Sequence, residues 1–370
     1  MRVLWIVRHN LERHPGGDTT QVLQTRKAVE RLGVEIEMTC ESPRDLSRFD
    51  VAHLFHLDRL WEHLPLCRVL QSARLPAVLS TIYWPSDEFD RGGRLGLQGF
   101  LARNLGSDRY QSFRQLQRFG LSAMGRRSLR GWNPRMFSFP SAVRYLLQNI
   151  AVILPNSDAE RIVIEDRFGV VRPAVIVPNA VDAEAFDSAS ETPWEHRCGV
   201  LSVGRIEPRK NQLLLIRALR DMQVPLTLVG TAGRFNRSYA RQCRAEAGTN
   251  THFVQHQSTA ELSERYRNAR VHANVSWYET PGLASLEAGL CGCNLVVTRG
   301  GSTAEYFGKS ADYCRPQDAG SIRTAIESGL SRHPSSELAD RIRDEYNWDR
   351  TAEATLRGYE LAIRSGPPRA

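Results

Sequence analysis

Five consecutive apolar residues, Val3-Leu-Trp-Ile-Val7, stand between two arginines and read as a buried strand. Similar runs recur at 34–39, 51–54, 77–81, 151–154 and 174–177, and a helix over 20–32, stopped by Gly33, joins the first two. Unbroken apolar runs alternating with helical segments predict a parallel sheet covered on both faces. After Val181-Asp182 the stretch 183–196 is polar and acidic without periodicity, and we place a linker at 183–198. A second series follows at 199–203, 226–229, 252–254, 271–274 and 295–298, with a helix near 212–219. The pattern predicts an α/β chain of two doubly wound Rossmann-like domains, 1–182 and 199–348, facing a central cleft where ligands meet the carboxyl ends of strands. A last helix, within 349–370, is expected to return to the first domain.

At 370 residues the chain is long enough for two such cores. No apolar run approaches the ~20 residues of a membrane span, and the first run is too short for a signal peptide. The expectation is a cytoplasmic protein, at most peripheral on the inner face of the plasma membrane. Seven scattered cysteines argue for reduced thiols over disulfides or zinc, with Cys291 and Cys293 as core filling. Of the 49 basic residues only Lys27, Lys210 and Lys309 are lysines, so a retained lysine carries information.

Candidate chemistry concentrates in the second half. In Tyr278-Glu-Thr-Pro-Gly-Leu-Ala-Ser-Leu-Glu-Ala288, Glu279 and Glu287 flank a Pro-Gly turn and a helix that starts near Gly282. The amides of Gly282, Leu283 and Ala284 offer donors to an anion, and each carboxylate can accept from two neighbouring hydroxyls. A capping acid with a solvated helix glutamate is the plain alternative. Ser202-Val-Gly-Arg-Ile-Glu-Pro-Arg-Lys-Asn-Gln212 follows the first strand of the second series and places Gly204, Arg205 and Lys210 before a helix. Two solvated cations are the alternative there.

Together these segments resemble family 4 of the retaining GT-B glycosyltransferases, the glycosyl transferases group 1. The first is similar to that family's E-x7-E motif, with Thr-Pro-Gly-Leu where Gly-Phe-Gly-Leu is usual, and the second to its glycine-arginine-lysine segment. Val177-Pro-Asn-Ala-Val-Asp182, Thr298-Arg-Gly-Gly-Ser-Thr-Ala-Glu305 and Trp348 match in the same order. The resemblance implies that Glu279 holds the donor sugar and Glu287 the ribose, while Arg205 and Lys210 clamp a diphosphate and stabilise its departure. It implies a UDP- or GDP-linked sugar donor, a glycan or lipid-linked acceptor, transfer with retention, and neither cofactor nor metal. Pro15-Gly16-Gly17-Asp18 is similar to the family's N-terminal glycine loop, an ordinary turn being the alternative. Tyr83 stands where relatives carry a histidine, and His53 and His56 are the neighbouring imidazoles, each open to a structural reading. A non-catalytic sugar-nucleotide-binding homologue or partner subunit, and a sugar-nucleotide epimerase or hydrolase, are the rival readings.

Segment 83–150 reads as a basic insertion. Between Arg91 and Arg144 stand 11 arginines and one acid, Asp108. Tyr110, Phe113 and Leu116 fall at helical spacing, with Arg114 and Arg118 one turn apart on an adjoining face. Such a segment suits an anionic membrane surface or a phosphorylated acceptor, with a solvated insertion as the alternative. No nucleic-acid-binding module is recognisable, so no nucleic-acid partner is expected.

Overall fold

The computed structural model describes the chain except residues 10, 12–15, 42, 44, 127–133, 187–191, 256, 281 and 368–370. The chain forms two units: Met1–Pro85, Leu101–Asn179 and Trp348–Ala370 make the first, and Ser86–Phe100 with Ala180–Asn347 the second.

In the first unit, strands β1 (Arg2–Ile6), β2 (Glu35–Thr39), β3 (Val51–Phe55), β4 (Ala77–Ser80) and β5 (Val152–Ile153) form a parallel sheet ordered β2-β1-β3-β4-β5. Helix α1 (Gly17–Arg31) carries the chain from β1 to β2, and α2 (Leu60–Ser72) from β3 to β4. The strand order therefore reverses between β1 and β3, the place where such sheets bind ligands. The second unit holds β6 (Val200–Val203), β7 (Leu226–Val229), β8 (Thr251–Val254), β9 (Val271–Asn274), β10 (Asn294–Thr298) and β11 (Ala311–Cys314), all parallel and ordered β11-β10-β9-β6-β7-β8. Its reversal lies between β6 and β9.

Several expectations need correction. The run 174–177 forms one bridge, Ala174 to Ile153, because its partner β5 is two residues long and Pro155 follows closely. Strand β11 was not foreseen, since its Asp312 and Tyr313 break the apolar run at a sheet edge. The division between units falls after Asn179, and the expected linker begins as part of the second unit. Ala183–Phe186 is helical there, with Phe186 buried against Tyr266, while 187–191 lies outside the described residues. The expected insertion 83–150 is divided: Ser86–Phe100 belongs to the second unit, and 127–133 lies outside the described residues.

Beyond a π-helical turn, Phe89–Gly93, come α3 (Gly96–Leu105) and α4 (Ser107–Arg126). In α4 the apolar stripe is half used: Tyr110 and Phe119 are buried and Leu116 packs on the core, whereas Phe113 is exposed. Among the described residues no helix is long and apolar enough to cross a membrane.

The helix Trp348–Ser365 belongs to the first unit and packs along α1, with Arg31 and Asp349 paired at 2.6 Å. Its anchor is Tyr359, whose hydroxyl accepts from Trp5 Nε1 at 2.9 Å and meets His53 Nδ1 at 2.7 Å. A hydroxyl that accepts from the indole has its proton free for the imidazole, so Nδ1 is the acceptor and Nε2 donates to Ser80 Oγ at 2.8 Å. Burial holds the His53 pKa near 3, in keeping with this neutral tautomer. Tyr359→Phe strands the indole N–H and the imidazole in a closed core, and urea unfolding should show a loss of about 1–3 kcal/mol.

Candidate active site in the second unit

The carboxyl ends of β6 and β9 flank the strand-order reversal, and the two sequence motifs leave from these ends. After β6, Lys210 closes a short 3-10 turn, Pro208–Lys210, and its aliphatic chain lies over Gly204. After β9, the chain runs through Ser276 and Trp277 to Glu279. Lys210 Nζ donates to Glu279 Oε1 at 2.5 Å, and Arg209 reaches the same oxygen at 3.3 Å. Arg209 also donates to the Tyr278 carbonyl at 2.9 Å and pairs with Glu207 at 3.2 Å. Arg209 is thus a second cation on Glu279, one that the sequence reading passed over. Arg205 stands apart, with its side chain 54% exposed and its nearest carboxylate, Glu207, at 3.8 Å.

Burial pushes the Glu279 carboxyl up, but Lys210, Arg209 and the Ser276 hydroxyl overturn this and hold it at about 2. Burial also lowers the Lys210 pKa, and Glu279 opposes it. Beside the pair on β9, His272 is fully buried, and neither ring nitrogen has a hydrogen-bond partner among the described residues. Burial, followed by the nearby Lys210 charge, lowers its pKa to about 3.

Glu279 is fixed through its backbone. Its N–H donates to the Gly300 carbonyl at 3.0 Å, and its own carbonyl accepts from Ser302 N at 2.9 Å. A Cβ on Gly301 would lie 1.8 Å from the Glu279 carbonyl oxygen, so only glycine permits this approach. The loop after β10 therefore acts as a backbone brace. On the other side, the turn Phe89–Gly93 packs flat on Trp277, where a Cβ on Gly93 would sit 2.3 Å from the indole Nε1. A segment far away in sequence thus buttresses the residue two places before Glu279, and Trp277 N in turn donates to the Arg209 carbonyl at 2.9 Å.

Pro281 lies outside the described residues, and Gly282, at φ +95°, is the N-cap of the helix Leu283–Leu290. The amides of Leu283 and Ala284 open this helix, and Gly282 provides no side chain to cap them. Glu287 sits one turn further in and accepts from the Tyr266 hydroxyl at 2.9 Å. The unit thus gathers a carboxylate braced by two cations, a helix start without a side-chain cap among the described residues and a second, half-buried carboxyl around one strand-order reversal. This arrangement suits a ligand that carries both hydroxyls and an anionic group.

Residues 187–345 match the family model described as glycosyl transferases group 1. The match covers under half of the chain, and within it the likeness is to glycosyl transferases group 1. It is 26% identical over 201 residues to a glycogen synthase of Mycobacterium tuberculosis, covering 51% of this chain and 49% of the relative. It is 30% identical over 250 residues to a D-inositol 3-phosphate glycosyltransferase of Kineococcus radiotolerans, covering 57% of each. The matches span about half the length of these curated relatives. Among solved structures, sucrose-phosphate synthase from Thermosynechococcus elongatus aligns with a TM-score of 0.73 at 15% identity, covering 97% of this chain and 98% of that one. Anabaena Alr3699/HepE, in complex with UDP and glucose, aligns at 0.63 and 14% identity, covering 98% and 97%. The fold is GT-B, two Rossmann-like α/β units.

The first-unit candidates separate clearly. Tyr83 packs its ring against Phe168, and its N–H donates to the buried Glu160 at 2.7 Å. His53 is the satisfied core residue described above. His56, at φ +71° directly after β3, is presented beside α1, with Nε2 3.3 Å from Asp18. Gly16 caps α1 with its own N–H occupied by Thr19 Oγ1 at 3.1 Å, Gly17 begins the helix, and Pro15 lies outside the described residues. The Gly16 amide is therefore taken internally.

Burial raises the Glu287 carboxyl from 4.5 to about 7, against the Tyr266 hydrogen bond. The folded state holds this proton more tightly than the unfolded chain, so the associated stability is complete below about pH 4.5 and is lost as the pH rises through 7. Denaturation from pH 5 to 8 should show wild type weakening relative to Glu287→Gln across that window, with parallel curves counting against the assignment.

Proposed function

We propose that this chain is a metal-independent, retaining glycosyltransferase that moves a sugar from a UDP- or GDP-linked donor to a hydroxyl acceptor. The observation that supports this reading best is the Lys210–Glu279–Arg209 cluster beside the helix start at Leu283. In the proposed reaction the bond from the sugar's anomeric carbon to the diphosphate oxygen breaks, and the acceptor oxygen bonds to that carbon on the same face. The acceptor proton passes to the departing phosphate oxygen, so the step needs no protein base. Lys210 and Arg209, with Arg205 at the rim, supply the positive charge that leaving-group departure requires. Glu279 holds sugar hydroxyls, the Leu283 and Ala284 amides meet the anion, and Glu287 accepts from the ribose.

Glu279→Gln and Lys210→Ala should each reduce donor-dependent transfer and acceptor-free donor hydrolysis by at least about 100-fold, the scale seen when one transition-state donor is removed. Calorimetric binding of UDP- and GDP-sugars serves as the companion measurement. Unchanged turnover in either variant rejects these roles. Donor binding without any hydrolysis or transfer indicates the non-catalytic binder, and an epimerised donor recovered without acceptor indicates the epimerase.

We also infer a peripheral association with anionic membranes. Leu97 and Phe100 are 74% and 57% exposed within the arginine-rich segment, a combination suited to an acidic interface. Flotation with acidic vesicles should fall in Leu97→Asp and with added salt, and flotation indifferent to both excludes the association.

A further inference from the structure

The strand-order reversal of the first unit, between β1 and β3, carries its own charged cluster. Arg8 follows β1, His56 follows β3, and Asp18 and Thr19 stand in the first turn of α1. Arg8 Nε meets Asp18 at 2.7 Å and its other arm donates to Thr19 Oγ1 at 2.9 Å, while His56 approaches the same carboxylate at 3.3 Å. One step along the β3–α2 loop, Arg59 binds Glu62 through two contacts of 2.5 and 2.6 Å, and His9 lies 3.3 Å from Glu62. Two of the carboxylates here are thus engaged at short range by cations.

Helix α4 adds two more arginines to this edge. Gln115 donates to the Asp58 carbonyl at 2.8 Å and docks α4 on the β3–α2 loop. Arg114 and Arg118 stand one turn apart beside it. Their nearby carboxylate, Asp58, is 3.9 Å from Arg118 and 45% exposed, a loose pair by ion-pair standards. Arg118 and Arg59 both lie 4.8 Å from the centre of the Trp61 ring, which orients their planar groups. Burial lowers the Arg118 pKa to about 10, and the like charge of Arg114 adds to this before Asp58 opposes it. The edge therefore holds two arginines one helical turn apart, Arg118 at 3.9 Å from Asp58 and Arg114 donating to the Gln111 side-chain oxygen at 3.3 Å.

We propose that Arg114 and Arg118 bind a phosphate ester carried by the acceptor, at the strand-order reversal of the first unit. This deepens the glycosyltransferase reading and rests on it. A phosphate has the geometry for two guanidinium forks and the charge to satisfy both, and the Trp61 ring holds one fork in place. Asp58 is the resident competitor, loosely placed and displaceable. His56, backed by Asp18, stands on the same edge beyond β3 and serves as a positioning residue for the rest of the acceptor. The phosphate can belong to a water-soluble sugar or polyol phosphate or to a phospholipid headgroup, and the chemistry of recognition is the same.

The test is calorimetric titration of the full chain with inorganic phosphate and glycerol 3-phosphate, alongside sedimentation with vesicles of phosphatidic acid in phosphatidylcholine. Binding of the soluble probes assigns a free phosphate ester, and binding of vesicles alone assigns a lipid headgroup; either supports the site. Arg114→Gln with Arg118→Gln should weaken the bound probe by about tenfold or more. Asp58→Asn should tighten it severalfold, a gain that misfolding cannot produce. The proposal is overturned if wild type binds none of the probes, if the arginine variant binds as wild type does, or if Asp58→Asn binds no tighter. Acceptor-free hydrolysis of the donor by wild type tests the transferase reading separately, so the two can fail independently.

Discussion

The ion pair between Lys210 and Glu279 is the constraint on which the second unit's site depends. Each charge is largely removed from water, and an isolated buried charge costs several kcal/mol. The pair persists because its geometry is enforced from several directions. The loop after β10 grips the Glu279 backbone through Gly300 and Gly301, the turn after β6 sets Lys210 over Gly204, and Arg209 supplies a second cation. Removing Glu279 leaves Lys210 buried without its carboxylate, whereas removing Lys210 leaves Glu279 with Arg209 alone at 3.3 Å. The glycines after β10 follow from this demand, since their backbone approaches the Glu279 segment more closely than a side chain allows.

Much of this fold was legible because its strands are buried on both faces and so appear as unbroken apolar runs. Legibility failed where that rule weakens. Strand β11 lies at a sheet edge and carries Asp312 and Tyr313, so its run is interrupted; 174–177 is apolar yet finds only a two-residue partner. The division of 83–150 between units was invisible, because what draws Ser86–Phe100 to the second unit is the fit of Gly92 and Gly93 against Trp277, and no local pattern encodes a contact so distant in sequence.

The site shows the same division between pattern and placement. Spacing identified Glu279, Glu287 and Lys210, since motif spacing survives in one dimension. It did not reveal the second cation beside Glu279, because Arg205 and Arg209 both belong to the same short segment and only the 3-10 turn decides which one faces that carboxylate. Tyr83 illustrates the converse. It occupies the expected position in sequence, and spacing alone could not foretell that its ring packs against Phe168. His53 and His56, three residues apart, likewise diverge: one ends within the sheet core, the other just past it.

The two strand-order reversals share a physical logic. At each, the fold brings cations together and keeps a carboxylate beside them. Glu279 engages two cations at close range, whereas Asp58 faces Arg118 across 3.9 Å. An anion entering either edge would not meet bare charge; it would exchange with a carboxylate already present, and the net gain would be the difference between two ion pairs. The tighter resident pair makes the second unit's edge the more stable when empty and the more selective, since only a ligand bringing several contacts, hydroxyls as well as charge, can displace the balance. The looser pair on α4 sets a lower threshold, suited to recognising one simple group. Close and distant counter-ions at equivalent topological positions thus grade the two edges for ligands of different complexity.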